Sequence, residues 1–352
     1  MEGAGVQIPV DESYLEYDYD ADDASFTSCY WGSELSCKRG RTLATTITQY
    51  RYENGRRYHA FRDGEYYQPN DEKQSDYEMI VHHLWLLSLD DKLFLAPLNN
   101  PQRILDVGTG TGVWAADIAD IFPDSEIIGT DLSPTQTAMA PPNIRFEIDD
   151  CNSEWVYPED SFDFVHMRSL SGCVSDWPEL YRQCYKHIKP GGYLQHCEFG
   201  VKVINNEPSP QTARADEMYK LFTELVLQTG DMINKSFSVD QRMPELIKDA
   251  GFVDIVDSKP IWPIGAWSSD ERLKEVGKWN QRSWLDGLES WVLALFTRQL
   301  GWSAAQVRNW VEEMRRVVLD RNCHFYHEVR CVVARKPLDG EVVPPEPAPS
   351  AS

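Results

Sequence analysis

Apolar and polar positions in the middle of the chain follow a strand–helix rhythm. Ile80, Leu84, Leu87 and Leu89 recur at nearly helical spacing and predict an amphipathic helix over 72–95. Pro97 and Asn99-Asn100-Pro101 then break the chain. Short apolar runs predict strands at 103–107, 126–129 (ending at Asp131), 144–148, 162–167 and 193–198, with helices at 113–121 and 179–188 and a turn at Pro190-Gly191-Gly192. Residues 211–250 read as helical, with Met218, Leu221, Phe222 and Leu225 on one face, and a strand is expected at 252–256. A second helical block at 267–320 carries Trp279, Trp284, Trp291, Trp302 and Trp310, and a strand at 325–334 closes the pattern. Such alternation implies an α/β fold, a parallel sheet with helices on both faces. Ligands in such sheets bind beyond the carboxyl ends of the strands.

This divides the chain into an acidic, disordered N-terminus (1–40), a helical lid region (41–98), a core (99–337) with a helical insertion at 263–320, and a proline-rich disordered tail (338–352). The insertion and the lid region are expected to form a cap over the ligand edge. The net charge of -22 argues against a nucleic-acid partner, which needs a basic face. Nine acids against two bases in residues 1–40, interleaved with Tyr14, Tyr17 and Tyr19, suit a protein-binding tail as well as a solvated one. None of the eight cysteines forms a C-x-x-C pair, so no metal ribbon is indicated and the thiols read as reduced. No apolar run reaches the ~18 residues of a membrane helix. The expected location is the cytoplasm or nucleus.

The chemistry concentrates in Asp106-Val107-Gly108-Thr109-Gly110-Thr111-Gly112, between a predicted strand and a predicted helix. Glycines there let the backbone approach a ligand closely, and the following helix offers free N–H groups. The pattern G-x-G-x-G differs from the G-x-G-x-x-G of pyrophosphate binders. An acid two residues before it suits a cationic cofactor, and S-adenosylmethionine carries a sulfonium and an ammonium. Asp106, Gly108, Thr109, Gly110 and Gly112 are therefore candidate cofactor residues. Asp131, 19 residues after Gly112, stands where a carboxylate meets ribose hydroxyls, with Leu132 beside it; a helix N-cap is the alternative. Asp150 can accept from an adenine amino group with Cys151 along the ring, and Asp149 competes for the role. Methyl transfer needs a base only when the acceptor arrives protonated. His166, which also adjoins the cofactor, and His82 and His83 are the catalytic candidates, each with a packing role as the alternative. The late tryptophans read as core, though aromatic walls also suit a planar substrate.

The run from Asp106 through Gly191 resembles the class I S-adenosylmethionine-dependent methyltransferases, and more narrowly the fungal LaeA-like, or UMTA, methyltransferase-domain family. The narrower likeness rests on Tyr58-His59-Ala60-Phe61, Tyr66, Pro69-Asn70-Asp71-Glu72, His82-His83, Gly129-Thr130-Asp131-Leu132-Ser133-Pro134, Pro141-Pro142-Asn143, Phe146-Glu147-Ile148-Asp149-Asp150, Phe162-Asp163-Phe164-Val165-His166-Met167-Arg168 and Lys189-Pro190-Gly191-Gly192-Tyr193. The resemblance implies a Rossmann-like sheet of seven strands, one antiparallel, with Gly108, Gly110, Asp131 and Asp150 at the cofactor. It implies a small-molecule methyl acceptor in fungal secondary metabolism, or a regulator acting through protein partners. The chain departs from the family pattern at Gln74-Ser75-Asp76-Tyr77, where relatives tend to carry an acid followed by Asp-Arg.

Overall fold

The computed structural model describes residues 6–15, 50–136 and 140–341. A short hairpin, β1 (Arg51–Glu53) and β2 (Arg56–Tyr58), precedes α1 (Glu72–Ser88). Then come β3 (Arg103–Val107), α2 (Val113–Ile121), β4 (Glu126–Asp131), β5 (Ile144–Ile148), β6 (Phe162–Arg168), α3 (Trp177–His187) and β7 (Ile188–Asn205). The second half contains α4 (Ala213–Met232), α5 (Met243–Asp249), β8 (Val253–Ser258), β9 (Ile261–Ile264), α6 (Glu271–Gln299), α7 (Ala304–Val318) and β10 (Phe325–Arg335).

The main sheet runs β5-β4-β3-β6-β7-β10-β8. The β5 to β7 pairs are parallel, and β10 is antiparallel to both neighbours. The expected seven-strand path is present, and an eighth strand, β9, pairs with the start of β10. Its run Ile261-Trp262-Pro263-Ile264 is short and holds a proline, which masks a strand in a sequence reading. Trp114, Ala115 and Ile118 of α2 pack on one face of the sheet, and Leu180, Tyr181 and Cys184 of α3 with Ile247 of α5 on the other.

Several boundaries differ from expectation. Helix α1 takes its N-cap from Asp71, whose side chain accepts from Gln74 N, and ends at Ser88, before 95. The turn at Pro190-Gly191-Gly192 persists as a bulge inside a much longer β7: Phe162 pairs with Ile188, whereas Phe164 pairs with Tyr193. The 211–250 block is two helices, and Leu221 faces solvent at 37% exposure while Phe222 is buried. The tryptophan-rich block is likewise split, at Gly301, before a capping box at Ser303 and Gln306.

Two expectations are corrected outright. Residues 6–15 were expected within a disordered tail, yet Ile8 packs on Trp267 and Tyr326 at 2% exposure, Val10 bridges to Ser268, and Asp11 pairs with Lys274 at 2.7 Å. Burial of Ile8 and a charge pair hold this piece down; the rest of the acidic segment and the tail beyond 341 lie outside the described residues. The cysteines were expected to be reduced, yet Cys197 and Cys331 form a disulfide between β7 and β10. They are direct cross-strand partners, a proximity hidden by a separation of 134 residues. Among the described residues no helix is long and apolar enough to cross a membrane.

Candidate active site

Strand register assembles the floor of a cleft at the carboxyl end of the sheet. Gly129 of β4, Asp106 of β3 and His166 of β6 stand side by side across three strands. Beyond them the loop Gly108–Gly112 crosses the strand ends, with φ of +70°, +56° and +81° at its three glycines, a region L side chains rarely enter. A Cβ on Gly108 would meet Leu170 at 2.4 Å, and one on Gly110 would meet the Glu78 carboxylate at 2.8 Å. The loop is thus closed in from both sides.

Asp106 is buried and serves the scaffold: Oδ2 accepts the Thr109 hydroxyl at 2.6 Å and Oδ1 faces His166 Nδ1 at 2.7 Å. The His166 ring stacks on Trp114 at 3.7 Å, and burial pushes its pKa down to about 4, so the imidazole is neutral at physiological pH. Asp131 accepts from Gly110 N at 2.9 Å and Ser133 N at 2.8 Å, yet burial still raises its pKa to about 6. Glu78, on α1, accepts from Thr111 N at 3.2 Å and from Gln74 Nε2 at 3.3 Å; burial and then the Asp131 charge raise its pKa to about 7. Arg168, which donates to His82 Nδ1 at 3.0 Å, is lowered to about 10 by burial.

The cleft holds about 160 Å³. It brings together Asp106, Gly108, Thr109, Gly110, Asp131, Leu132, Asp149, Cys151 and His166 of the residues expected from sequence. Four others stand apart. Gly112 caps α2, where a Cβ would meet Phe146 at 2.5 Å. The buried Asp150 carboxylate accepts from Asn152 N at 2.9 Å with one oxygen and pairs with Arg62, from the segment before α1, with the other. His82 lies behind Arg168 and pairs with Asp117 at 3.0 Å. His83 packs edge-on against Trp279, 4.4 Å between centroids. The two adjacent histidines point apart because successive helical positions diverge by about 100°.

Sequence reasoning missed the lid side of the cleft. Tyr66, Gln68, Asn70, Gln74 and Glu78 come from the loop before α1 and from α1 itself. The i,i+4 pair Gln74 and Glu78 was a legible signal, lying where the chain departs from its family pattern. Two buried amide atoms lining this side, Gln68 Nε2 and Gln74 Oε1, have no hydrogen-bond partner among the described residues. Buried polar atoms of this kind are ordinarily satisfied, so these two are suited to hydrogen-bond a ligand. Two carboxylates, Asp131 and Glu78, line the same cleft, and in their ionised form they suit a cation. The donor and acceptor set therefore fits the cationic, hydroxyl-bearing S-adenosylmethionine.

The comparisons agree with this geometry. A methyltransferase domain family matches residues 80–254. The chain is 36% identical over 298 residues to methyltransferase pytC of Aspergillus terreus, covering 84% of this chain and 91% of that one. It is 36% identical over 294 residues to the secondary metabolism regulator LAE1 of Cochliobolus heterostrophus, covering 81% and 94%. It is 30% identical over 292 residues to the protein-methionine methyltransferase laeA of Emericella nidulans, covering 82% and 77%. With its strand order, glycine loop and acids in place, the chain belongs to the class I S-adenosylmethionine-dependent methyltransferases, in the fungal LaeA-like family.

Proposed function

We propose that this methyltransferase acts on a small-molecule acceptor in fungal secondary metabolism. The observation that carries the reading is the roof of the cleft. Tyr67 before α1, Tyr77 and Val81 of α1, Phe199 of β7 and Trp291 of α6 cover the space over the glycine loop with apolar, mostly aromatic surface. A cleft roofed in this way favours a largely apolar small acceptor over a macromolecular surface.

In this reading Asp131 accepts from the ribose hydroxyls, and Glu78 with Gln74 Oε1 faces the cationic end of the cofactor. Leu132, Asp149 and Cys151 flank the adenine. S-adenosylmethionine supplies a methyl group already activated on sulfonium. The protein's contribution is then positioning and exclusion of water. Neutral, stacked His166 stiffens the floor through Asp106 rather than exchanging protons near pH 7.

The regulators among the relatives favour a second reading, in which the chain acts through protein partners. Calorimetry of the purified protein with S-adenosylmethionine and S-adenosylhomocysteine comes first. Label transfer from methyl-labelled cofactor to a panel of phenols and aromatic acids, beside methionine peptides, follows. Transfer to the small molecules is expected. Transfer to peptide methionine alone would overturn the small-molecule reading in favour of the second.

A further inference from the structure

Arg168 is the last residue of β6 and lines the cleft, two positions beyond His166 and so on the same face of the sheet. Its Nη2 donates to His82 Nδ1 at 3.0 Å, and His82 Nε2 faces Asp117 Oδ2 at 3.0 Å. These partners fix the imidazole: Nε2 carries the proton toward the carboxylate, and Nδ1 accepts from the guanidinium. His82 of α1 and Asp117 of α2 thus hold the guanidinium from behind.

In front it is uncommitted. Among the described residues no Asp or Glu closes an ion pair with it. Arg56, Arg298 and Arg330 each do so with an acid, at 2.6, 2.8 and 2.6 Å. Asp106, Asp117 and Glu78 act on Arg168 only as charges at a distance, and with a pKa lowered to about 10 by burial it remains a cation at neutral pH. A sheltered guanidinium has five N–H donors, and here one is taken by the protein, so the rest suit an anion in the cleft.

The place of Arg168 along the sheet edge says which anion. The strands run β5-β4-β3-β6. Asp149 and Cys151 follow β5, Asp131 ends β4, the glycine loop follows β3, and Arg168 ends β6. Neighbouring strands lie about 4.8 Å apart, so this edge spans about 14 Å. A cofactor with its adenine at β5 and its ribose at β4 lays its amino-acid end across β3 and β6. There Glu78, which accepts from Thr111 N at 3.2 Å, and Arg168 offer opposite charges that feel each other without pairing. An α-amino acid carries the complementary pair, an ammonium and a carboxylate on one carbon.

We propose that Arg168 binds the α-carboxylate of S-adenosylmethionine, with the ammonium beside Glu78. A guanidinium presents two parallel N–H groups to a carboxylate, which fixes the direction of the amino-acid end and with it that of the sulfonium methyl. This rests on the cofactor placement given above and extends it to the far end of the ligand.

The test is calorimetry on the full chain with S-adenosylhomocysteine and with its decarboxylated analogue, which keeps adenosine, sulfur and ammonium. Wild type is expected to prefer S-adenosylhomocysteine by about tenfold or more. Arg168→Gln should weaken S-adenosylhomocysteine by about tenfold and leave the analogue within about twofold of wild type, so that the preference collapses. Arg168→Lys keeps the charge but not the two-pronged face; it should narrow the preference, and it serves if the first variant fails to fold. No preference in wild type, or one that survives in the variants, would overturn the assignment. Equal weakening of both ligands would overturn it too, because a merely structural role acts on both alike. Benzoate, titrated into the S-adenosylhomocysteine-loaded protein, probes the other source of a carboxylate, the acceptor. Benzoate binding that Arg168→Gln abolishes, with no cofactor preference to lose, would assign the guanidinium to the acceptor instead. Failure of the wild type to bind S-adenosylhomocysteine would overturn the cofactor reading beneath the proposal.

Discussion

Asp106 and His166 face each other across β3 and β6 with 2.7 Å between Oδ1 and Nδ1, while the other carboxylate oxygen takes the Thr109 hydroxyl at 2.6 Å. One side chain therefore ties two strands to the glycine loop. Asn in its place keeps one oxygen and cannot serve both partners. Asp106→Asn is expected to lower S-adenosylmethionine affinity by roughly tenfold, equivalent to about 1.4 kcal/mol, in line with one lost buried hydrogen bond. Calorimetry beside a thermal melt checks it; wild-type affinity would show that the loop holds without this tie.

His166 titrates near pH 4. Its removal should therefore leave the shape of the pH–rate profile between pH 6 and 9 unaltered, even if the rate falls. His166→Asn profiles measured against wild type decide this, and disappearance of a limb in that range would instead identify a base.

Asp131 accepts from Gly110 N and Ser133 N, burial raises its pKa to about 6, and in the proposed reading it also accepts from the ribose hydroxyls. Asp131→Ala is expected to weaken S-adenosylmethionine by about 1–3 kcal/mol, the range for a charge-assisted hydrogen bond. Equal affinities in calorimetry would place the ribose elsewhere.

Glu78 gives a pH dependence with a definite sign. Its pKa rises from 4.5 to about 7 in the folded state. Between those values the folded protein retains a proton that the unfolded chain has released, so this group's contribution to stability falls as pH rises through the window. Above pH 7 the whole penalty is present. Glu78→Gln should stabilise the cofactor-free protein at pH 8, on the order of 1 kcal/mol after discounting for the open cleft, with no gain at pH 4.5 or below. Wild-type affinity for the cationic cofactor should be greater at pH 8 than at 6.5, and the variant's nearly flat. Melts and calorimetry at these values check both; a destabilised variant at pH 8 would refute the assignment.

Ile8 anchors residues 6–15 against Trp267 and Tyr326 at 2% exposure. Ile8→Ala should cost about 2–4 kcal/mol, the range for a truncated buried aliphatic side chain. Denaturant unfolding measures it, and a loss under 0.5 kcal/mol would mean that the segment adds little to the fold.

The sequence by itself determined the core. Strand runs such as Ile104-Leu105 and the glycine loop are local patterns, and local pattern dictates strand, turn and helix start. The order of those elements then leaves few ways to build a sheet. Local pattern places Asp106 and Asp131 at or beside the ends of their strands and Gly110 in the loop just beyond β3, all at the carboxyl edge of the sheet. Only the tertiary structure decided what faces them. Glu78 and Gln74 lie on an earlier helix, and Trp291 comes from an insertion more than 150 residues further on; nothing local says that α1 packs on α6 above the loop. The same holds for Asp150, His82 and Cys197, each engaged by a partner set by packing: Arg62, Asp117 and Cys331. Periodicity records which side of an element is buried, whereas the identity of the neighbour depends on how whole elements pack, and that is where this active site acquires its roof.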